Sequence, residues 1–322
     1  MKRSLSSLLG RTDGWGMPLV VLFIIAGLIE LMRPGSFGLE QLALICASAM
    51  ILVFVATGET IVVMRGGIDL SVGGTLSLAS VISATRADLP GLDLLPWLAL
   101  ILGVGFLIGV ANALIISLLK LQPFLVTLAT WSIVEGIALI VQPSEGGTVP
   151  PVWFAWGYSR PFGIPISVLL LMLLMLWWAW FRRTRMANSI RAAGSNERSA
   201  YLNRVSLMGT NIAAYGISGV MAALAGFFYA TQTGAGSPVV GAQYVLPAIA
   251  AVVIGGTSLA GGRGGLTGTI TGAFILNLTG TVVFLLKLTS YWQIVAQGAI
   301  LVLVVITGSI VEARSERSGA DR

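Results

Sequence analysis

Long apolar runs separated by short polar or glycine-rich breaks dominate the 322-residue chain. Crossing a hydrocarbon core of about 30 Å takes about 20 residues of helix. Ten runs approach that requirement and predict helices over residues 17–32, 41–57, 70–85, 94–119, 124–141, 164–181, 205–229, 245–259, 266–286 and 292–311. The third and eighth are short and flanked by glycine, which suits half-helices or re-entrant elements as well as full crossings. The expected fold class is all-α, a polytopic membrane helix bundle of about ten transmembrane or partly re-entrant helices.

Charge supplies the orientation. Ten crossings put both ends of the chain on one side. If that side is the cytoplasm, only Arg33, Arg86, Arg160 and Lys287 fall outside, and the other fifteen of the 19 Lys and Arg residues fall inside. This asymmetry obeys the positive-inside rule. Dropping either short run alone would invert much of the chain and spoil it, so the number of crossings is even, with ten preferred to eight. The expected organisation is a cytoplasmic N-terminal segment 1–16, a transmembrane domain 17–311 with a cytoplasmic loop 182–204, and a cytoplasmic tail 312–322. The first apolar run is long and no small-x-small cleavage site follows it, so it reads as a retained anchor, not a signal peptide. The proline-rich loop 142–163 carries Trp153, Trp156 and Tyr158 and reads as an outer interfacial segment with an aromatic belt.

Composition narrows the chemistry. Hydrophobic residues make up 56% and charged residues 10% of the chain, against about 25% charged in an ordinary soluble domain. The net charge of +6 sits in the inner loops and gives no reason to expect nucleic acid. There is no histidine, and Cys46 is the one cysteine, so an imidazole metal site, a Ser-His-Asp triad and a disulfide framework are all excluded. A Gly-x4-Gly-Lys-Ser/Thr loop is absent, so Gly255-Gly256 and the glycines at 261–265 bind no nucleotide in that manner. No Asp-Asp-x-x-Asp cluster is present to hold Mg²⁺ for lipid or prenyl chemistry.

Charged side chains inside a bilayer are costly and mark function by default. Glu30 and Glu40 lie near outer span ends and Glu59 near an inner end. Glu135 is then the one carboxylate expected well inside a run, serving either a structural hydrogen bond or a transport pathway. So few buried ionisable groups argue against an ion-coupled carrier. A transported solute would draw its energy from a partner, and would be neutral and hydroxylated. Helical position and polarity select Asn112, Thr127, Thr130, Trp131, Glu135, Gln232, Gln243 and Asn277 as candidate pathway residues. Among the 40 glycines, Gly103-x-Gly105-x3-Gly109 and Gly264-Gly265-x2-Gly268-x3-Gly272 carry the small-x3-small pattern of close helix packing.

In the loop 182–204, Ser195 or Asn196 can cap a short helix over 197–202, with Gly194 preceding it as a breaker. Such an element either docks in a groove of another protein or is simply a solvated basic loop.

Several segments carry a family likeness. Arg65-Gly66-Gly67-Ile68-Asp69-Leu70-Ser71-Val72-Gly73 resembles the Gly-Gly-Ile-Asp-Leu-Ser-Val-Gly signature of permease subunits of ribose-type sugar ABC importers, in the branched-chain-amino-acid/ribose permease superfamily. The segments 111–130, 190–197 and 249–264 agree in the expected order. The resemblance implies a bacterial inner-membrane, multi-pass transport subunit that is not an enzyme and holds no cofactor or metal. It implies three partners besides the lipid bilayer: a second permease copy or paired homologue, an ATPase with tandem nucleotide-binding domains that binds ATP and Mg²⁺, and a periplasmic sugar-binding protein. It makes Gly66, Gly67, Asp69, Ser71 and Gly73 signature residues. Gly194, Ser195, Asn196, Glu197, Ala200 and Leu202 become the segment that couples to the ATPase. Asp69 either caps the helix that follows it or contacts substrate. The expected cargo is a monosaccharide, a pentose, hexose or related polyol. The alternative is another small solute such as a nucleoside, amino acid or signalling sugar. An amino acid would need partners for its two charged termini. The chain departs from the family at Leu202-Asn203-Arg204-Val205-Ser206, which lacks the glycine of Ser-Gly-Ile-Asn and so implies a differently shaped helix end.

Overall fold

The computed structural model describes residues 16–85, 94–289, 291–300 and 302. Arg86, the tail 312–322, most of the N-terminal segment and the end of the last apolar run lie outside the described residues. Each of the ten apolar runs holds a helix over most of its described part, although the eighth, 245–259, leaves the helix at Ile254. In chain order these are α1 (Gly16–Met32), α2 (Leu39–Arg65), α3 (Val72–Thr85), α4 (Leu94–Leu119), α5 (Pro123–Val141), a short α6 (Pro151–Gly157), α7 (Ile166–Phe181), α8 (Arg185–Ser195), α9 (Glu197–Leu202), α10 (Leu207–Thr233), α11 (Ala242–Ile254), α12 (Leu266–Leu285) and α13 over 291–300. Among the described residues the one β-type pairing is an isolated antiparallel bridge between Gly146 and Gly236.

Among the described residues, five helices, α2, α4, α5, α10 and α12, are each long and apolar enough to cross a membrane, and the bent pair Pro151–Gly163 and Ile166–Phe181, at 78°, makes a sixth if taken as one span. The remaining apolar helices α1, α3 and α11 are shorter. Leu173, Leu176 and Trp180 on α7 and Ile133 and Ile140 on α5 lie exposed, as lipid-facing side chains do in a bundle whose outer surface meets hydrocarbon.

The core is built on two 27-residue helices, α2 and α10. Their relative direction follows from their end contacts. Glu40 at the start of α2 pairs with Arg160, while Gln232 at the end of α10 donates to the Gly157 carbonyl at 2.7 Å. At the opposite face, Arg65 ends α2 and donates to Thr210 in the first turn of α10. The two helices are therefore antiparallel. Each ends at a left-handed glycine, Gly66 (φ 90°) and Gly234 (φ 72°), then runs through a non-helical break into a short helix, α3 of 14 residues or α11 of 13. One plan is thus laid down twice in opposite orientations, as in inverted-repeat transport folds.

The second break threads back into the bundle along α3. Ser237 N–H donates to Ser80 Oγ at 3.2 Å and Gly241 N–H to Ser77 Oγ at 2.9 Å, so α11 starts beside the first turns of α3. A Cβ on Gly241 would strike the Gly73 backbone. The third and eighth runs are therefore short helices that begin inside the bundle.

Glycine sets the close crossings. Gly105 on α4 meets the Gly219 carbonyl on α10, and Gly109 meets the Tyr215 carbonyl; Gly268 and Gly272 on α12 meet the α11 backbone at Gly255 and Ala251. Gly103 faces open space and takes no part. The segment 142–163 is more deeply packed than an aromatic belt: Trp153 is buried against Trp97 and Phe227, because α6 folds back over the end of α10, although Tyr158 stays exposed.

Candidate functional site

Three clusters gather most of the chemistry-bearing residues. The first occupies the break between α2 and α3. Gly66 closes α2 with its N–H on Val63 O at 2.9 Å, and Gly67 N–H follows onto Val62 O at 3.0 Å. The chain then turns inward through Ile68 to Asp69, which is buried. Asp69 Oδ1 accepts from Ser71 N–H at 3.0 Å and Ser71 Oγ at 2.5 Å, so the carboxyl caps the entry to α3.

From Ser71 the bonding continues across helices. Asn112 Nδ2 on α4 donates to Ser71 Oγ at 2.8 Å, and Asn112 Oδ1 accepts from Thr130 Oγ1 on α5 at 2.6 Å. Thr127 Oγ1 receives Leu70 N–H at 3.1 Å. Asn112, Thr127 and Thr130 thus meet the signature residues at one joint among α2, α3, α4 and α5. Gly73 lies beneath the Trp131 indole, where a side chain would not fit.

Glu59 belongs to the same joint. Its carboxylate accepts the Asp69 N–H, at 3.2 Å to Oε1 and 3.3 Å to Oε2, and the residue is wholly buried. This corrects the expectation that Glu135 is the one carboxylate set deep in a helix. Glu135 is half-buried, and its carboxylate accepts from the Trp131 indole one turn away on α5. Gln232 lies apart from this joint, bonded to the Gly157 carbonyl near the face that holds Arg160.

The second cluster is a hairpin of α8 and α9 at the opposite face. Thr184 caps α8, accepting from Ala187 N–H at 3.2 Å, and the helix buries Ala187, Ile190 and Ala193 at threefold spacing. That spacing was the sequence signal for α8, which the reading of 182–204 as a loop overlooked. Asn196 caps α9, accepting from Ser199 N–H at 2.8 Å. Gly194 is a correction: it lies within the last turn of α8 and breaks nothing. Its missing side chain lets the turn press on the Met64 carbonyl and Gly262 N, and Gly262 N–H donates to Met64 O at 2.9 Å. Ala200 is buried, while Tyr201 and Leu202 are exposed. Beyond them Arg204 takes the left-handed conformation (φ 61°), and Val205 N–H closes onto Ala200 O at 3.0 Å. Arg204 therefore makes the turn that ends the hairpin without a glycine.

The third cluster is a cavity of about 610 Å³ bounded by α2, α11, α12 and α13. Ser48, Gln243, Tyr244, Asn277, Gln293 and Gln297 supply its polar lining, and among the described residues no charged side chain lines it. Ser48 Oγ donates to Asn277 Oδ1 at 3.2 Å. Gln243 and Asn277 meet here, and Gln293 and Gln297, on the less polar-looking last run, were missed because their partners lie far away in sequence. No group of three or more potential metal-ligating acidic, Cys or His residues occurs among the described residues.

The family model for the branched-chain amino acid transport system permease component matches residues 41–305. The chain belongs to that family. It is a multi-pass transport subunit of the bacterial inner membrane, with ATP hydrolysis on a separate subunit. This permease is 33% identical over 299 residues to the ribose import permease protein of Bacillus subtilis, covering 90% of this chain and 91% of the relative. It is 30% identical over 305 residues to the D-allose transport system permease protein of Escherichia coli K12, covering 90% of each. The galactose/methyl galactoside import permease protein of Haemophilus influenzae is 30% identical over 318 residues, covering 92% of this chain and 94% of that one. No solved structure matches the chain.

Proposed function

We propose that this permease carries a monosaccharide across the membrane as part of an ATP-driven importer. The observation that carries this reading is the set of uncharged amide side chains, Gln243, Asn277, Gln293 and Gln297, in the otherwise mainly apolar lining of the 610 Å³ cavity. Each Asn or Gln side chain offers both a donor and an acceptor, the pair that a sugar hydroxyl needs. A zwitterionic amino acid would instead leave two charges without partners in a low-dielectric space. The relatives named for ribose, D-allose and galactose support the same solute class.

In this reading a binding protein delivers the sugar at the face marked by Glu40 and Arg160. Two permease copies form the pathway, and an ATPase with tandem nucleotide-binding domains, holding ATP and Mg²⁺, docks at the opposite, cytoplasmic face. The exposed Tyr201 and Leu202 of α9, flanked by Arg198 and Arg204, form the docking tip. The joint at Asp69, Ser71 and Asn112 fixes the start of α3, and Gln243 and Asn277 hold the passing sugar weakly. The test is uptake by proteoliposomes holding the complete transporter. Gln243→Leu and Asn277→Leu each remove about one net hydrogen bond, so sugar uptake falls roughly 5- to 10-fold at unchanged membrane abundance. Full uptake by both variants would move the pathway away from this cavity.

A further inference from the structure

Arg65 is the last residue of α2 and follows the fully buried Val62, Val63 and Met64. Its own side chain is 7% exposed, an unusual setting for a cation at a helix end. The guanidinium divides its bonds. Nε donates to Thr210 Oγ1 on α10 at 3.0 Å, and Nη2 lies 2.9 Å from Glu197 Oε1 on α9. Thr210 Oγ1 in turn donates to Leu207 O at 2.7 Å, so its hydroxyl is held in place. One side chain therefore joins three elements: the end of one core helix, the start of the other, and the first turn of the proposed docking helix.

The position of this link matters. Four residues beyond Arg65 is Asp69, whose N–H is held by Glu59 and whose carboxyl caps α3. A displacement of the hairpin that pulls on Arg65 is applied where α2 gives way to the α3 entry. The hairpin and the core helices also have other anchors. The hairpin has its own anchors in Ala187, Ile190 and Ala193, and α2 packs against α10 through Gly58 and Ser218. The Glu197 side chain is 63% exposed, and ion pairs with so wet a partner add little to stability.

We infer that Arg65 is a positioning residue for coupled transport: its guanidinium clamps the α8–α9 hairpin to both core helices, so that the hairpin's displacement moves the start of α3. Glu197 is the internal partner of this clamp and not a contact to the ATPase. Arginine suits the task because its planar fork reaches two acceptors in fixed, different directions, which a lysine ammonium on a flexible stem does not.

This inference rests on the hairpin being the ATPase docking element, and the experiment separates the two. The complete transporter, with Cys46→Ala in the permease, is reconstituted with sugar-loaded binding protein. A Tyr201→Cys variant is cross-linked to single cysteines on the ATPase surface, and sugar transported per ATP hydrolysed is measured for Arg65→Met, Glu197→Gln, Thr210→Val and the double variant Arg65→Met with Glu197→Gln. Membrane abundance and thermal midpoint serve as controls. Cross-linking at Tyr201→Cys is expected, with midpoints near that of the parent. Arg65→Met and Glu197→Gln each lower the transport-to-ATP ratio about fivefold, the double variant loses no more than Arg65→Met alone, and Thr210→Val repeats the defect with the ion pair in place. Additive losses, or an unchanged ratio with the cross-link intact, overturn the clamp and leave the docking site standing. Absence of the cross-link in a transport-competent complex overturns both.

Discussion

Asn112 uses both ends of its amide inside the bundle, one on Ser71 and the other on Thr130. Replacing it with leucine removes one partner each from the Ser71 hydroxyl, which keeps its bond to Asp69, and from the half-buried Thr130 hydroxyl, at about 0.5–1.5 kcal/mol per bond lost. Asn112→Leu should therefore lower the thermal midpoint in detergent by several degrees, whereas Gln297→Leu, at the cavity wall, should leave it near wild type and act on uptake. Equal midpoints for the two variants would remove the structural role assigned to the Asp69 joint. At this scale the sequence was partly legible. Asn112, Thr127 and Thr130 stand out as polar positions in apolar helices. Glu59 was misplaced, because hydropathy ended its span at Thr57 while α2 continues to Arg65. The polar stretch Gly58-Glu59-Thr60 meets protein and not water, because α10, remote in sequence, packs on Gly58 and the α2–α3 break folds back onto Glu59.

Helix contacts decide the next scale. Gly105 and Gly109 press α4 onto the α10 backbone, yet Gly103 in the same sequence pattern faces open space. Gly109→Leu should reduce folded protein in the membrane severalfold, since overpacking at a helix crossing costs about 1–3 kcal/mol or more. Gly103→Leu should express normally, and loss of protein from both would mean that the helix pair is not arranged as described. At the hairpin, a Cβ on Gly194 would collide with the Met64 carbonyl. Gly194→Val should keep insertion and separate ATP hydrolysis from uptake; normal coupling in that variant would contradict the tight seating of α8. Short, glycine-flanked runs announced α3 and α11 as unusual. Their meeting at Gly73 and Gly241 was not legible, because it pairs segments more than a hundred residues apart through backbone contact, which leaves no local periodicity. Helix α8 was legible in hindsight from Thr184 and the threefold spacing of its buried face.

For the whole molecule, the two ends of α2 mark two faces. Glu40 and Arg160 lie on one, and Arg65, Glu197 and the hairpin on the other. Lys120 follows α4, whose Ser117 bonds to Asn211 at the start of α10, so it joins the Arg65 face. The charge asymmetry and the fold therefore agree on which loops share a side. In cells carrying Cys46→Ala, an impermeant maleimide should label Glu145→Cys from outside and reach Tyr201→Cys only after permeabilisation; the reverse pattern would invert the orientation. The proposed function has the chain pass a neutral sugar on energy supplied by a partner. Its most direct test is uptake into proteoliposomes containing the permease, its ATPase and its binding protein, offered a panel of monosaccharides and amino acids. The expected result is uptake of a monosaccharide that requires both ATP and the binding protein and ignores ion gradients. Uptake by the permease alone on an ion gradient, or ATP-driven uptake of an amino acid with no response to any sugar, would contradict it.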